Sequence, residues 1–166
     1  MIAGVNLKTE GESKLAVLGK ELIITSLDTN QEILEALPEE VEVLAVNAPL
    51  ENGKGLSEKE EELIDEGHMF SPSTHNKRLN RRALHFKQLM SENRLATELI
   101  RFDPMITSKE LAIDGDNALE SHGVSSKKIS NAEEFDAVLG AVTARFYQEG
   151  QCSDFGVQVP EPLKDE

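Results

Sequence analysis

Asn6 and Asn47 each close a short apolar run, Ile2-Ala3-Gly4-Val5-Asn6 and Val43-Leu44-Ala45-Val46-Asn47, and Asp136 stands far downstream in Glu134-Phe135-Asp136-Ala137. Polar residues at the ends of two central strands, facing an acid on a late helix, have the layout of a two-metal phosphodiester hydrolase. The side-chain chemistry is weaker than the layout. Mg²⁺ needs anionic oxygen ligands, and an asparagine offers only a neutral carbonyl. Two such ions about 4 Å apart repel strongly, and one carboxylate at Asp136 does not offset their charge. A plainer reading has Asn6 and Asn47 bonded to each other or to loop backbone, pinning adjacent strand ends, with Asp136 bonded to one of them.

Other residues bear on the same chemistry. Asp103, Asp114, Asp116, Glu120 and Asp154 are acids that loops could bring to the strand ends. Asp114-Gly115-Asp116-Asn117 has the start of a calcium loop but lacks the third loop acid and the twelfth-position glutamate. Residues 75–87 concentrate five of the 17 basic residues, among them Lys77, Arg78, Arg81 and Arg82. Such a cluster suits a phosphate backbone, another anion or an acidic protein. It equally suits a solvated helix that neutralises the acidic stretch Glu58 to Glu66. Only Phe86 is at hand to stack a base.

The elements that must position these residues follow from apolar spacing. Ile2 to Leu7 predicts a buried strand, and Leu15 to Leu18 and Leu22 to Leu27 predict a hairpin around Gly19-Lys20. Asp28-Thr29-Asn30 caps a helix over Gln31 to Leu37, stopped by Pro38. Val41 to Val46, apolar at nearly every position, reads as a strand covered on both faces. Ser57 and Glu60 make a capping box for an acidic helix ended by Gly67. Leu84, Leu89, Leu95, Leu99 and Ile100 predict one long helix or two short ones between Arg82 and Ile100. Phe102 to Ile106 predicts a fifth strand, kept to an edge or an end by Pro104. A short helix near Lys109 to Ala112 and a loop beyond it follow. Ser130 and Glu133 form a second capping box, and Phe135, Val138, Leu139, Val142 and Phe146 draw one apolar stripe down a helix that Gly150 ends. Asp136, Gly140 and Thr143 fall together beside that stripe, a small-residue face fit for close approach to a sheet. Phe155 to Val159 predicts a closing strand before Pro160.

Composition narrows the function classes. The 166 residues carry 17 Lys plus Arg against 31 Asp plus Glu, a net charge of −14 that repels polyanions on average. The single cysteine, Cys152, forms no internal disulfide, and no Cys/His spacing matches a zinc module. A cytoplasmic setting is expected, with no export signal and no membrane span. Phosphate-loop, dinucleotide and nucleophile-elbow motifs are absent.

Three hairpin-connected strands, a helix, a fourth strand and a final acid-bearing helix follow the order of the ribonuclease H-like fold. Ile2 to Asn6, Leu44-Ala45-Val46-Asn47-Ala48-Pro49-Leu50, Phe135 to Ala144 and Gly156 to Pro160 together resemble the domain-of-unknown-function family 429, proposed nucleases of that fold. The resemblance implies an α/β domain over residues 1–160, a central mixed five-stranded sheet flanked by helices, followed by an acidic tail at 161–166. It places the active-site positions at Asn6, Asn47 and Asp136, with Asp136 as metal ligand. The family's pattern has aspartate at the first two, and a glutamate where this chain has Arg101; only Asp136 matches. Two functions stay open on these residues. One is a degenerate, non-catalytic binding or scaffolding protein, monomeric or weakly dimeric. The other is a Mg²⁺- or Mn²⁺-dependent nuclease acting on RNA or DNA, with Asp103, Asp114 or Asp116 making up the missing charge.

Overall fold

The computed structural model describes residues 1–51, 55–94 and 96–162, apart from the side chains of Asp116 and Asn117. Strands β1 (Ile2–Asn6), β2 (Ser13–Leu18) and β3 (Leu22–Leu27) form an antiparallel meander. Helix α1 (Asn30–Ala36) follows, with Thr29 as its N-cap accepting from the Glu32 N–H. It leads to β4 (Val43–Val46), which pairs parallel to β1. Helices α2 (Glu58–Asp65) and α3 (Lys77–Asn93) then precede β5 (Glu98–Arg101), which pairs parallel to β4. The sheet order is β3-β2-β1-β4-β5, five strands of mixed direction. Helices α4 (Pro104–Glu110), α5 (Asp116–Leu119) and α6 (Ala132–Gln148) and a hairpin of β6 (Cys152–Asp154) and β7 (Gln158–Pro160) complete the chain.

Strand alternation sorts the core into two layers. Ala3 and Val5 of β1 and Leu44 and Val46 of β4 pack with Ile33, Ala83, Phe86 and Met90 of α1 and α3. Ile2, Val43 and Ala45 face the other way, toward Ala137, Val138 and Val142 of α6. Carried one step further, the same alternation turns Asn6 and Asn47 to the α6 side. The α6 axis comes unusually close to β1 because both surfaces are glycine at the crossing. A Cβ on Gly4 would lie 2.3 Å from the Ala137 carbonyl oxygen and 2.3 Å from the Ala141 nitrogen. One on Gly140 would lie 2.7 Å from the Phe102 ring. Of the small-residue face expected from the sequence, Gly140 meets β1, Thr143 instead shares a hydrogen bond with Thr107 of α4 at 2.7 Å, and Asp136, one helical turn before Gly140, is carried to the strand ends.

Several expected elements fall elsewhere. The helix predicted over Arg82 to Ile100 starts earlier, at Lys77, and ends at Asn93; Leu99 and Ile100 belong to β5, and Leu95 lies outside the described residues. The strand expected at Phe102 to Ile106 is instead the start of α4, because Asp103 caps it and Pro104 sits in its first turn, where proline's missing N–H costs nothing. The short helix expected near Lys109 to Ala112 is in part the end of α4, which stops at Glu110. The cap of α6 is one residue later than read: Asn131, not Ser130, accepts from the Glu134 N–H, while the Glu134 carboxylate accepts from the Ser130 N–H. The closing strand is a hairpin, with Phe155 to Val157 mostly its turn. The Ser57–Glu60 capping box is present as expected.

Candidate functional site

The carboxyl ends of β1 and β4, the first turns of α3 and α4 and one face of α6 enclose a cleft of about 460 Å³. Asn6, Asn47 and Asp136 all line it, and so does Asp103. The two amides bond to each other. Asn47 Nδ2 donates to Asn6 Oδ1 at 2.7 Å and to the Leu7 carbonyl at 3.1 Å, and Asn47 Oδ1 accepts from the Leu7 N–H at 2.8 Å. Asn6 Nδ2 donates to the Glu133 carbonyl at 3.2 Å, which ties β1 to the first turn of α6. Parallel register makes this contact: Val5 faces Val46, so the next residues of both strands emerge side by side.

Asp103 and Asp136 are the acids of the cleft, and their environments differ. Asp103 is 4% exposed, and its carboxylate accepts from the Ser71 N–H at 2.8 Å and the Met105 N–H at 2.9 Å. Burial pushes its carboxyl up, and those N–H groups and the Arg101 charge hold it back. Asp136 is pushed up to about 6, first by burial, then by the charges of Asp103 and Glu133, with Lys8 opposing. Lys8 Nζ is itself 2.6 Å from the exposed Glu133 carboxylate, and this hydrogen bond holds Glu133 below the usual carboxylate range.

These residues do not fit a pair of divalent ions. Both amide hydrogens of Asn47 are directed at acceptors, and the Oδ1 atoms of Asn6 and Asn47 already accept protein N–H groups. Among the described residues, no group of three or more His, Cys, Asp or Glu side chains is placed to hold a metal ion. Of the other acids read as candidates, Asp114, Glu120 and Asp154 are not in the cleft lining, and Asp116's side chain is outside the described part. Asp154 lies instead by a second cavity of about 480 Å³ along the outer edge of β5.

The basic residues divide. Lys77, Arg78 and Arg81 are exposed on α3, whose cap Asn76 lines the cleft, and Arg78 reaches Glu10 at 3.8 Å. Arg82 departs from the expected anion-binding role because its guanidinium is engaged by the fold. It donates to Asn30 Oδ1 at 3.0 Å, the Asp28 carbonyl at 3.1 Å and the Lys8 carbonyl. Burial lowers its affinity for a proton, partly offset by the Asp28 charge.

Across 96% of this chain and 98% of the other, the structure aligns with Thermus thermophilus RuvC at a TM-score of 0.55 and 16% identity. It aligns with T. thermophilus RuvC in complex with a Holliday junction substrate at a TM-score of 0.53 and 15% identity, over 96% and 99% of the two chains. The fold is ribonuclease H-like. No family model and no curated protein matches the chain. The helices also set one limit: among the described residues none is long and apolar enough to cross a membrane.

Asn6, Asn47 and Asp136 are legible in the sequence as one site, whereas the apolar pattern does not set Asp103 apart from Asp114 or Asp116. The missed signal is local: an aspartate directly before a proline is a strong helix start. That places Asp103 at the end of β5, beside the ends of β1 and β4. Glu60 shows in the sequence only as a capping-box partner, although it is 2% exposed and bonded to a second loop.

Proposed function

We propose that this protein is a non-catalytic, ribonuclease H-like binding or scaffolding protein, a divergent relative of nucleases such as those of the domain-of-unknown-function family 429. The observation that carries this is the Asn6–Asn47 pair: its amide groups bond to each other and to main chain at the two positions where metal-assisted hydrolysis needs anionic oxygen. An asparagine at 47 satisfies Asn6 Oδ1 and the Leu7 carbonyl, which an aspartate there cannot do. The exposed Lys77, Arg78 and Arg81 beside the cleft supply a basic face for a phosphate backbone or an acidic protein on an otherwise acidic molecule.

One observation favours the second reading, a divalent-metal-dependent nuclease on RNA or DNA: Asp103 and Asp136 repel each other within one cleft, and a cation would relieve them. The test is incubation with labelled RNA, duplex DNA and branched DNA in millimolar Mg²⁺ or Mn²⁺, with binding followed in parallel. Retention of substrate without cleavage supports the binding protein; cleavage lost in both Asp103→Asn and Asp136→Asn variants supports the nuclease.

A further inference from the structure

We propose that Arg101 and Glu60 are positioning residues for the cleft, a buried ion pair that holds the Ser71–Ser73 segment in place as its rim. The proposal rests on the cleft being the functional site. Arg101 ends β5 and Glu60 lies in the first turn of α2, and their side chains are 8% and 2% exposed. Glu60 also closes the α2 capping box, accepting from the Ser57 N–H at 3.2 Å. Both side chains converge on one short stretch of loop between α2 and α3.

Glu60 takes the Ser73 N–H at 2.7 Å on one carboxylate oxygen and the Ser73 hydroxyl at 2.6 Å on the other. Arg101 donates to the Ser71 carbonyl at 3.0 Å and approaches Glu60 at 3.5 Å. The Ser71 N–H donates to Asp103, and Asn80 of α3 donates to the Ser73 carbonyl. The main chain of Ser71 and Ser73 is therefore held by side chains from α2, α3, β5 and the α4 cap. The segment's other side faces the ligand space, since Ser71 and Pro72 line the cleft while Ser73 lines the second cavity.

The pair's electrostatics agree with a fixed role. Burial pushes Glu60 up, but the Ser73 and Ser57 hydrogen bonds and then Arg101 outweigh it and hold the carboxyl below its ordinary range. Burial lowers Arg101, while Glu60 and then Asp103 oppose that. The Glu60 carboxyl is thereby kept in its charged form at neutral pH, and an arginine guanidinium keeps its proton there. A buried ion pair contributes little net stability against a neutral replacement of both partners, whereas removing one leaves the other charge stranded. Positioning and stability can thus be separated by experiment.

The experiment is amide hydrogen exchange by NMR on the full chain and on Arg101→Met, Glu60→Gln, the Arg101→Met/Glu60→Gln double variant and Arg101→Lys, with thermal melting in parallel. The double variant is expected to melt close to the parent while the Ser71 and Ser73 amides exchange about tenfold faster or more, with β1 and β4 amides unchanged. Arg101→Lys should restore the Ser73 amide, held by charged Glu60, more fully than Ser71. Unchanged Ser71 and Ser73 exchange in the double variant overturns the proposal, as does a uniform loss of protection across the sheet. If Arg101→Met alone does not fold, Arg101→Lys and the double variant still decide. A loosened rim with nucleic-acid and acidic-protein binding both unaffected would retain the latch and reject the cleft as the functional site.

Discussion

Replacing Asp136 with Asn should stabilise the protein above about pH 6 and leave it unchanged below about pH 4. The Asp136 carboxyl stands at about 6 against an ordinary 3.8, because burial and the Asp103 and Glu133 charges disfavour its ionised form. Between those values the folded chain holds a proton that the unfolded chain has released. Stability therefore falls as pH rises through that window and stays low above it. At about 1.4 kcal/mol per pH unit the full gap corresponds to about 3 kcal/mol. Asp136 is partly open to the cleft, so solvent screening reduces this to about 1–2 kcal/mol. Asparagine keeps the shape and carries no charge, so the cost disappears. Urea unfolding of both proteins at intervals from pH 4 to pH 8 measures the difference. A variant less stable than the parent at pH 8, or an offset that does not change with pH, refutes the reasoning, because either means that Asp136 makes a stabilising contact in its ionised form.

Three further outcomes follow from the geometry. Asn47→Asp should destabilise by about 2–4 kcal/mol at neutral pH, since Asn6 Oδ1 and the Leu7 carbonyl would then face a carboxylate, and chemical denaturation will read it. Gly4→Ala should cost about 3 kcal/mol or more, because the new methyl would meet α6 backbone at 2.3 Å and force helix from sheet, seen as a lowered melting temperature. Arg82→Met should cost about 2 kcal/mol through the acceptors it strands, yet leave the salt dependence of nucleic-acid binding unchanged, whereas Lys77→Ala with Arg81→Ala should reduce that slope.

Four of the five strands were legible in the sequence as short apolar runs between clear turns, most plainly β1 and β4, which bury side chains on both faces. Asn6 and Asn47 were legible for the same reason: a polar residue at the end of such a run has to be accounted for. The second half was read less well. Pro104 marks both strand ends and helix starts, and only the neighbouring cap at Asp103 decides between them. Leu99 and Ile100 continue the apolar spacing of α3 across the break at Arg94, so periodicity alone joined helix to strand. The roles of Arg82, Arg101 and Glu60 are contacts between residues 13 to 74 positions apart, and nothing local distinguishes a buried charge from a solvated one.

The central question is whether the Asn6–Asn47 pair has removed the charge that a metal centre needs. Calorimetric titration of Mn²⁺ into the parent and into an Asn6→Asp/Asn47→Asp variant tests this most directly. We predict no specific heat with the parent and saturable binding with the variant, where two added carboxylates join Asp136 and Asp103. Saturable Mn²⁺ binding by the parent that is lost in Asp136→Asn would contradict a non-catalytic role and identify a working metal site built on the acids already present.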